Sequence, residues 1–185
     1  RGVAPHPDYR HGFVQRLVRA GAEITELYTA CDGHKLSAPN DLVFDKAGGF
    51  YFTDLGKRYA RQRDHGGIYY ARPDGSAIRC LVHPFLSPNG CGLSPDGRIL
   101  YVADTESARL WAFDIEGPGE LRKPTGNAHH SGRVVGAVGS NARFDSLAVL
   151  ENGNIAVATL NTGMITEFSP AGAIVREVKM PDIYP

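Results

Sequence analysis

One stretch of this chain occurs three times, and that repetition limits the fold more than any other feature. Ser87–Asp104 reads SPNGCGLSPDGRILYVAD, Ala38–Asp54 reads APNDLVFDKAGGFYFTD and Phe144–Thr159 reads FDSLAVLENGNIAVAT. Aligned without gaps, each copy starts on a polar lead residue (Asn40, Asn89, Asp145), places a glycine eight positions on (Gly48, Gly97, Gly153), and places hydrophobic residues ten and twelve positions on (Phe50 and Phe52, Ile99 and Tyr101, Ile155 and Val157). The lead residues stand 49 and then 56 residues apart, and each interval holds three or four short alternating segments separated by turn glycines. A period of roughly 40–50 residues with four strands per unit is the signature of a β-propeller blade, whose sheet packs both faces on its neighbours around a central channel. A helical reading fails, because the apolar residues alternate at period two and Gly or Pro interrupts them repeatedly.

Taken in order, residues 1–12 carry no periodicity and read as a loop. Phe13–Val18 and Ile24–Tyr28 alternate about a turn at Ala20–Ala22 and predict a hairpin. Each repeat then continues into a second alternating strand at Gly67–Tyr70, Leu110–Phe113 and Met164–Phe168, with a further strand at Ile78–Val82 and Ile174–Val178. In the middle repeat, Leu121 onward (LRKPTGNAHHSGR) predicts a loop. The expectation is an all-β chain supplying about the middle half of a six-bladed propeller: 1–39 a partial blade, 40–88 and 89–144 full blades, and 145–185 a partial blade. A propeller closes with about 4 to 8 blades. The chain has methionine only at Met164 and Met180 and would leave apolar blade faces uncovered at both ends. It is therefore expected to be a piece of a longer protein, poorly folded and inactive on its own.

Composition excludes several functions. Twenty basic and twenty acidic side chains cancel, with no run of like charge, so neither a nucleic-acid surface nor a polybasic membrane anchor is expected. No apolar run approaches the roughly 20 residues that span a bilayer. Cys31, Cys80 and Cys91 are odd in number and lack CxxC spacing, which predicts free, mostly buried thiols, neither a disulfide framework nor a structural zinc site, and a cytoplasmic setting. The expected partner is a small molecule, with the oligomeric state left open.

The lead residues are the candidates for chemistry. As equivalent positions of three successive blades they should converge at one mouth of the channel. Two amide oxygens and a carboxylate are hard donors, suited to Ca²⁺ or a similar cation. Asn and Asp beside a glycine-bearing strand are also ordinary turn formers that satisfy nearby backbone amides, so spacing alone leaves both readings open. Asp41, Asp54 and Asp104 are expected to be hydrogen-bonding groups at strand ends, and His129 and His130 an adjacent pair in a loop. Tyr69, Tyr70 and Trp111 are expected to be blade-packing aromatics.

The stretches APNDLVFDKAGGFYFTDLG, LSPNGCGLSPDGRILYVADT and FDSLAVLENGNIAVAT together resemble the senescence-marker protein, gluconolactonase and luciferin-regenerating enzyme family of six-bladed propellers, in order and spacing from about Phe13 onward. The resemblance implies hydrolysis of a sugar lactone at an axial divalent metal, Ca²⁺ first and Zn²⁺ in some members. It implies Asn40, Asn89 and Asp145 as metal ligands, with Asp145 and Asn40 also catalytic. A family glutamate that completes the site has no match here, since Glu116–Pro118 falls in a mid-blade turn, and would lie before Arg1. Two departures stand out. Ser146 follows Asp145 where the family usually has glycine, and Ala38 stands where some members carry a substrate-touching arginine.

Overall fold

A computed structural model describes residues 5–184, so the loop expected over 1–12 lies outside the described residues at positions 1–4. The described residues contain strands and turns and no helix. Two hairpins come first, β1 (Val14–Val18) with β2 (Glu23–Tyr28), as the alternation predicts, and a short β3 (Ala30–Cys31) with β4 (His34–Lys35). Three antiparallel meander sheets follow. The first is β5 (Pro39–Phe44), β6 (Phe50–Asp54), β7 (Gly66–Ala71) and β8 (Ile78–Phe85). The second is β9 (Pro88–Leu93), β10 (Ile99–Asp104) and β11 (Arg109–Gly117), against which both β12 (Glu120–Leu121) and β13 (Arg133–Ala137) pair. The third is β14 (Arg143–Val149), β15 (Ile155–Leu160), β16 (Met164–Phe168) and β17 (Ile174–Lys179). The first strands β5, β9 and β14 lie side by side, so the sheets radiate from a common inner edge. This is the blade arrangement of a β-propeller.

Three sequence expectations are revised by these sheets. The strand after each glycine is the second of its blade; the innermost strand is the lead segment itself, which its polar and glycine residues disguise as a turn. The segment from Asp145 onward thereby carries four paired strands. In the middle repeat the loop is confined to 122–132, and β13 pairs with β11 beyond it.

The ungapped alignment also slips by one in the middle repeat. Cys91 pairs with Val102, whereas Leu42 pairs with Phe52 and Leu147 with Val157. The turns explain it. Asp45 N bonds Gly49 O and Leu150 N bonds Asn154 O, but Ser94 N bonds Ile99 O, one residue further on, although the glycine keeps its place (φ 77°, 76° and 86° at Gly48, Gly97 and Gly153). Leu100 and Val102, rather than Ile99 and Tyr101, are thus the counterparts of Phe50 and Phe52.

The second strands β6 and β10 are apolar on both faces because each separates two interblade cores. Phe50 and Phe52 pack with Tyr28 and Leu36 on one side of β6, while Tyr51 joins Val82, Leu100, Val102 and Phe113 on the other. Tyr101 and Ala103 turn the opposite way from Leu100 and Val102, onto Phe144, Ile155, Val157 and Phe168. Tyr69, Tyr70 and Trp111 pack in or against these cores, as the strand spacing predicts. His130 leaves its loop to enter one of them, its ring 5.2 Å from Phe85, 5.1 Å from Trp111 and 5.5 Å from Phe113 between centroids.

The inner strands of adjacent blades also pack closely. A Cβ at Gly90 would stand 2.4 Å from Leu147 N and 2.8 Å from Asp145 O, so β9 passes β14 backbone to backbone. Gly90→Ala is therefore expected to cost at least about 3 kcal/mol, the upper end of overpacking effects, because neither wall is a side chain that can rotate away. Gly139→Ala meets nothing within 4 Å at ordinary φ and should stay within about 0.5 kcal/mol of wild type. Denaturant titrations of the two variants check this.

Burial, and then the charge of neighbouring His129, holds the His130 imidazole below its usual range. The unfolded chain then takes up a proton that the folded chain refuses. Stability should be level above the unfolded value near 6.5, fall as pH drops from there toward the lowered folded value, and level off below it. His130→Phe, which keeps a ring among Phe85, Trp111 and Phe113, should remove that part of the slope in unfolding midpoints measured between pH 4 and 8.

Candidate functional site

All three lead residues occupy the same irregularity in their inner strands. Pro39 pairs with Asp54 and Leu42 with Phe52, so Asn40 and Asp41 together oppose the single residue Thr53. Likewise Asn89 and Gly90 oppose Ala103, and Asp145 and Ser146 oppose Ala158. Two residues against one is a β-bulge, a device that bends the strand and re-aims a side chain. Polar and small residues suit it because a bulge leaves backbone groups that local side chains must satisfy. It also explains why the lead segments lack clean alternation.

Neighbouring bulges lie level with one another. Asp41 Oδ2 accepts a hydrogen bond from Cys91 N at 3.0 Å, tying the bulge of β5 to the residue two beyond Asn89. Gly90 lies against Asp145–Leu147 on the other side. The structure thus brings the lead residues to the same level of three adjacent inner strands. Their environments differ: Asn40 is exposed, Asp145 half-buried and Asn89 only 5% exposed.

Asn89 is held from two sides. Thr53 Oγ1 donates to its backbone carbonyl at 2.5 Å while accepting from Asp41 N at 3.2 Å, and Asn89 Nδ2 donates to Thr105 Oγ1 at 3.1 Å. The remaining polar atom, Asn89 Oδ1, is buried without a hydrogen-bond partner. Buried acceptors are ordinarily paired, and leaving one unpaired costs roughly 1–3 kcal/mol. An oxygen of this kind, on an inner strand adjacent to the one that carries Asp145, fits an oxygen-seeking cation. The residues that would hold such an ion are Asn89 and Asp145, with Asn40 at the exposed edge. Among the described residues no three His, Cys, Asp or Glu side chains gather into a metal-binding cluster.

The other polar residues are engaged in structure. Asp54 accepts from Ser37 N and Ala38 N at 2.6 Å each and from Gly56 N at 2.9 Å, fixing the chain as it enters β5. Asp104 accepts from Ser87 Oγ and Ser107 Oγ, and Asp41 holds Cys91. These carboxylates are hydrogen-bonding groups, as expected, Asp54 and Asp104 at the ends of their strands and Asp41 within β5. Cys31, Cys80 and Cys91 are unpaired. Burial, then the Asp41 charge, pushes the Cys91 thiol well up, so it does not serve as a nucleophile. Two cavities, one of about 550 Å³ between the Tyr9–His11 segment, β3 and β8 and one of about 650 Å³ at the far turns around Lys46 and Asp96, are not lined by the lead residues. Sequence reasoning missed Thr53 and Thr105. The available signal was a threonine in FYFTD, a strand otherwise apolar up to its terminal aspartate and buried throughout.

Comparisons with known proteins agree with this architecture. Lactonase drp35 of Staphylococcus epidermidis is 33% identical over 142 residues, covering 77% of this chain and 42% of the relative, so the chain spans about two fifths of the curated relatives it matches. A gluconolactonase from Xanthomonas campestris superposes with a TM-score of 0.72 at 24% identity, over 90% of this chain and 55% of that one. A calcium-binding protein, regucalcin, from Agrobacterium tumefaciens superposes with a TM-score of 0.61 at 19% identity, over 93% and 68%. No helix among the described residues is long and apolar enough to cross a membrane. The model of the SMP-30/gluconolactonase/LRE-like region matches residues 9–185, and the chain belongs to that family.

Proposed function

We propose that the three bulged inner strands form part of the active site of a divalent-metal-dependent lactonase acting on a sugar lactone. The observation that carries this reading is the buried, unpartnered Oδ1 of Asn89, whose neighbour Gly90 lies against the Asp145 backbone on the next inner strand. Donor chemistry favours Ca²⁺, with Zn²⁺ as the second choice. Regucalcin, described as calcium-binding, shares the fold. A bound ion would supply polarisation of the lactone carbonyl and positive charge for the developing oxyanion. Asn89 would ligate through Oδ1. Asp145 would stand where water approaches and take its proton as the oxygen attacks the carbonyl carbon; the ring C–O bond then breaks, and the alkoxide is protonated to give the hydroxy acid. Asn40, exposed at the rim, would orient water or substrate.

Ala38 favours a narrower variant of the same reading. Its N–H is committed to Asp54 and its methyl offers no hydrogen bond, so a lactone read by a charged side chain there is a poor substrate, and other lactones or esters become better ones. The three unpaired cysteines support a cytoplasmic setting. The chain on its own is expected to be inactive.

The test is hydrolysis of gluconolactone and of an aliphatic lactone, followed by pH-stat with the protein in its natural full length. Chelation should abolish turnover, and Ca²⁺ or Zn²⁺ should restore it. Asp145→Asn should lower kcat by about 10²–10⁴, the range for loss of a positioned base. Turnover unaffected by chelation and by Asp145→Asn would overturn the reading. Absence of turnover on every lactone, with cation binding retained, would point instead to a binding propeller, since fold alone confers no chemistry.

A further inference from the structure

We propose that Thr105 is a positioning residue that anchors the Asn89 side-chain amide with its oxygen toward the site. The inference rests on the metal-site reading above and assigns a role to a residue outside the ligand set.

A primary amide can present either oxygen or nitrogen, and only the oxygen can ligate a cation. A threonine hydroxyl can accept from the nitrogen or donate to the oxygen, so Thr105 fixes where the Asn89 amide lies, and in this structure it is the nitrogen that faces it. The backbone carbonyl is taken by Thr53 and the strand is pressed against β14 at Gly90, so the side chain cannot shift bodily. Its nitrogen donates to Thr105 Oγ1 at 3.1 Å, and the oxygen is thereby left as the unpartnered buried atom.

Thr105 is itself well anchored. Its N–H donates to Ser87 O at 3.0 Å, and Ser87 Oγ in turn accepts from Glu106 N at 2.8 Å and donates to Asp104. The residue just before β9 and the residues just after β10 are thus one hydrogen-bonded corner. Thr105 projects from that corner onto the lead residue of the same blade. Hydrogen-bond partners behind a ligand of this kind tune affinity by orienting it before the ion arrives.

The test compares wild type, Thr105→Val, Thr105→Ser and Asn89→Ala in the natural full-length protein. Two readouts are needed: NMR exchange of the Asn89 side-chain amide protons in the metal-free protein, and the Ca²⁺ dissociation constant by calorimetry. Thr105→Val, which keeps the shape and loses the hydroxyl, should expose the amide protons to exchange and weaken Ca²⁺ binding about 10–100-fold. Thr105→Ser should restore both. A purely structural threonine would lower the unfolding midpoint without changing the dissociation constant, and that result overturns the proposal. If Thr105→Val binds Ca²⁺ like wild type while Asn89→Ala does not, the positioning role falls and the metal site stands. If Asn89→Ala also binds normally, or wild type binds no Ca²⁺, the metal role of Asn89 falls and the proposal falls with it.

Discussion

The backbone contact between β9 and β14 at Gly90 is the constraint on which the rest of the structure depends. Blades diverge from their inner edges, so the distance between inner strands sets how far apart the second strands lie and therefore which side chains fill the space. With no Cβ at Gly90, β10 and β15 come close enough for Tyr101, Phe144, Val157 and Phe168 to share one core. The interblade core and the site are built by the same approach, because the residue that makes the contact stands next to Asn89 and touches Asp145.

Polar groups near the inner edge fall into two sets. Asp41, Asp54, Asp104, Thr53 and Ser87 spend their hydrogen-bonding capacity on backbone amides and on one another, joining strand to strand and blade to blade. Asn89 Oδ1 is left over. Its burial makes that unpaired acceptor informative, whereas the same atom on an open surface would be solvated and carry no message.

The fold was legible in the sequence to the extent that a strict repeat is. Lead residue, glycine and apolar positions recur because each blade solves the same packing problem. What escaped were departures from period two. A bulge breaks alternation by construction, so PNDLVF, PNGCGL and FDSLAV read as turns although they are the innermost strands. One added residue after Gly97 changes which faces Ile99, Leu100, Tyr101 and Val102 occupy without altering their hydrophobicity, and composition cannot register it. The lead residues were legible as a set because repetition marks equivalence. The threonines were not, because Thr53 has no polar counterpart in the other two blades, where Ala103 and Ala158 face the bulge.

The added residue after Gly97 shows how the two ends of a blade are related. The turn grows by one, β10 advances by one along β9, and yet Asn89 and Gly90 still face a single residue in the same way that Asn40 and Asp41 do. The pairing absorbs the insertion before it reaches the inner mouth. A scaffold of this kind can lengthen, shorten or redecorate the loops of one rim while the opposite rim keeps its geometry, so new contacts can be added at the far turns without disturbing the inner-edge site.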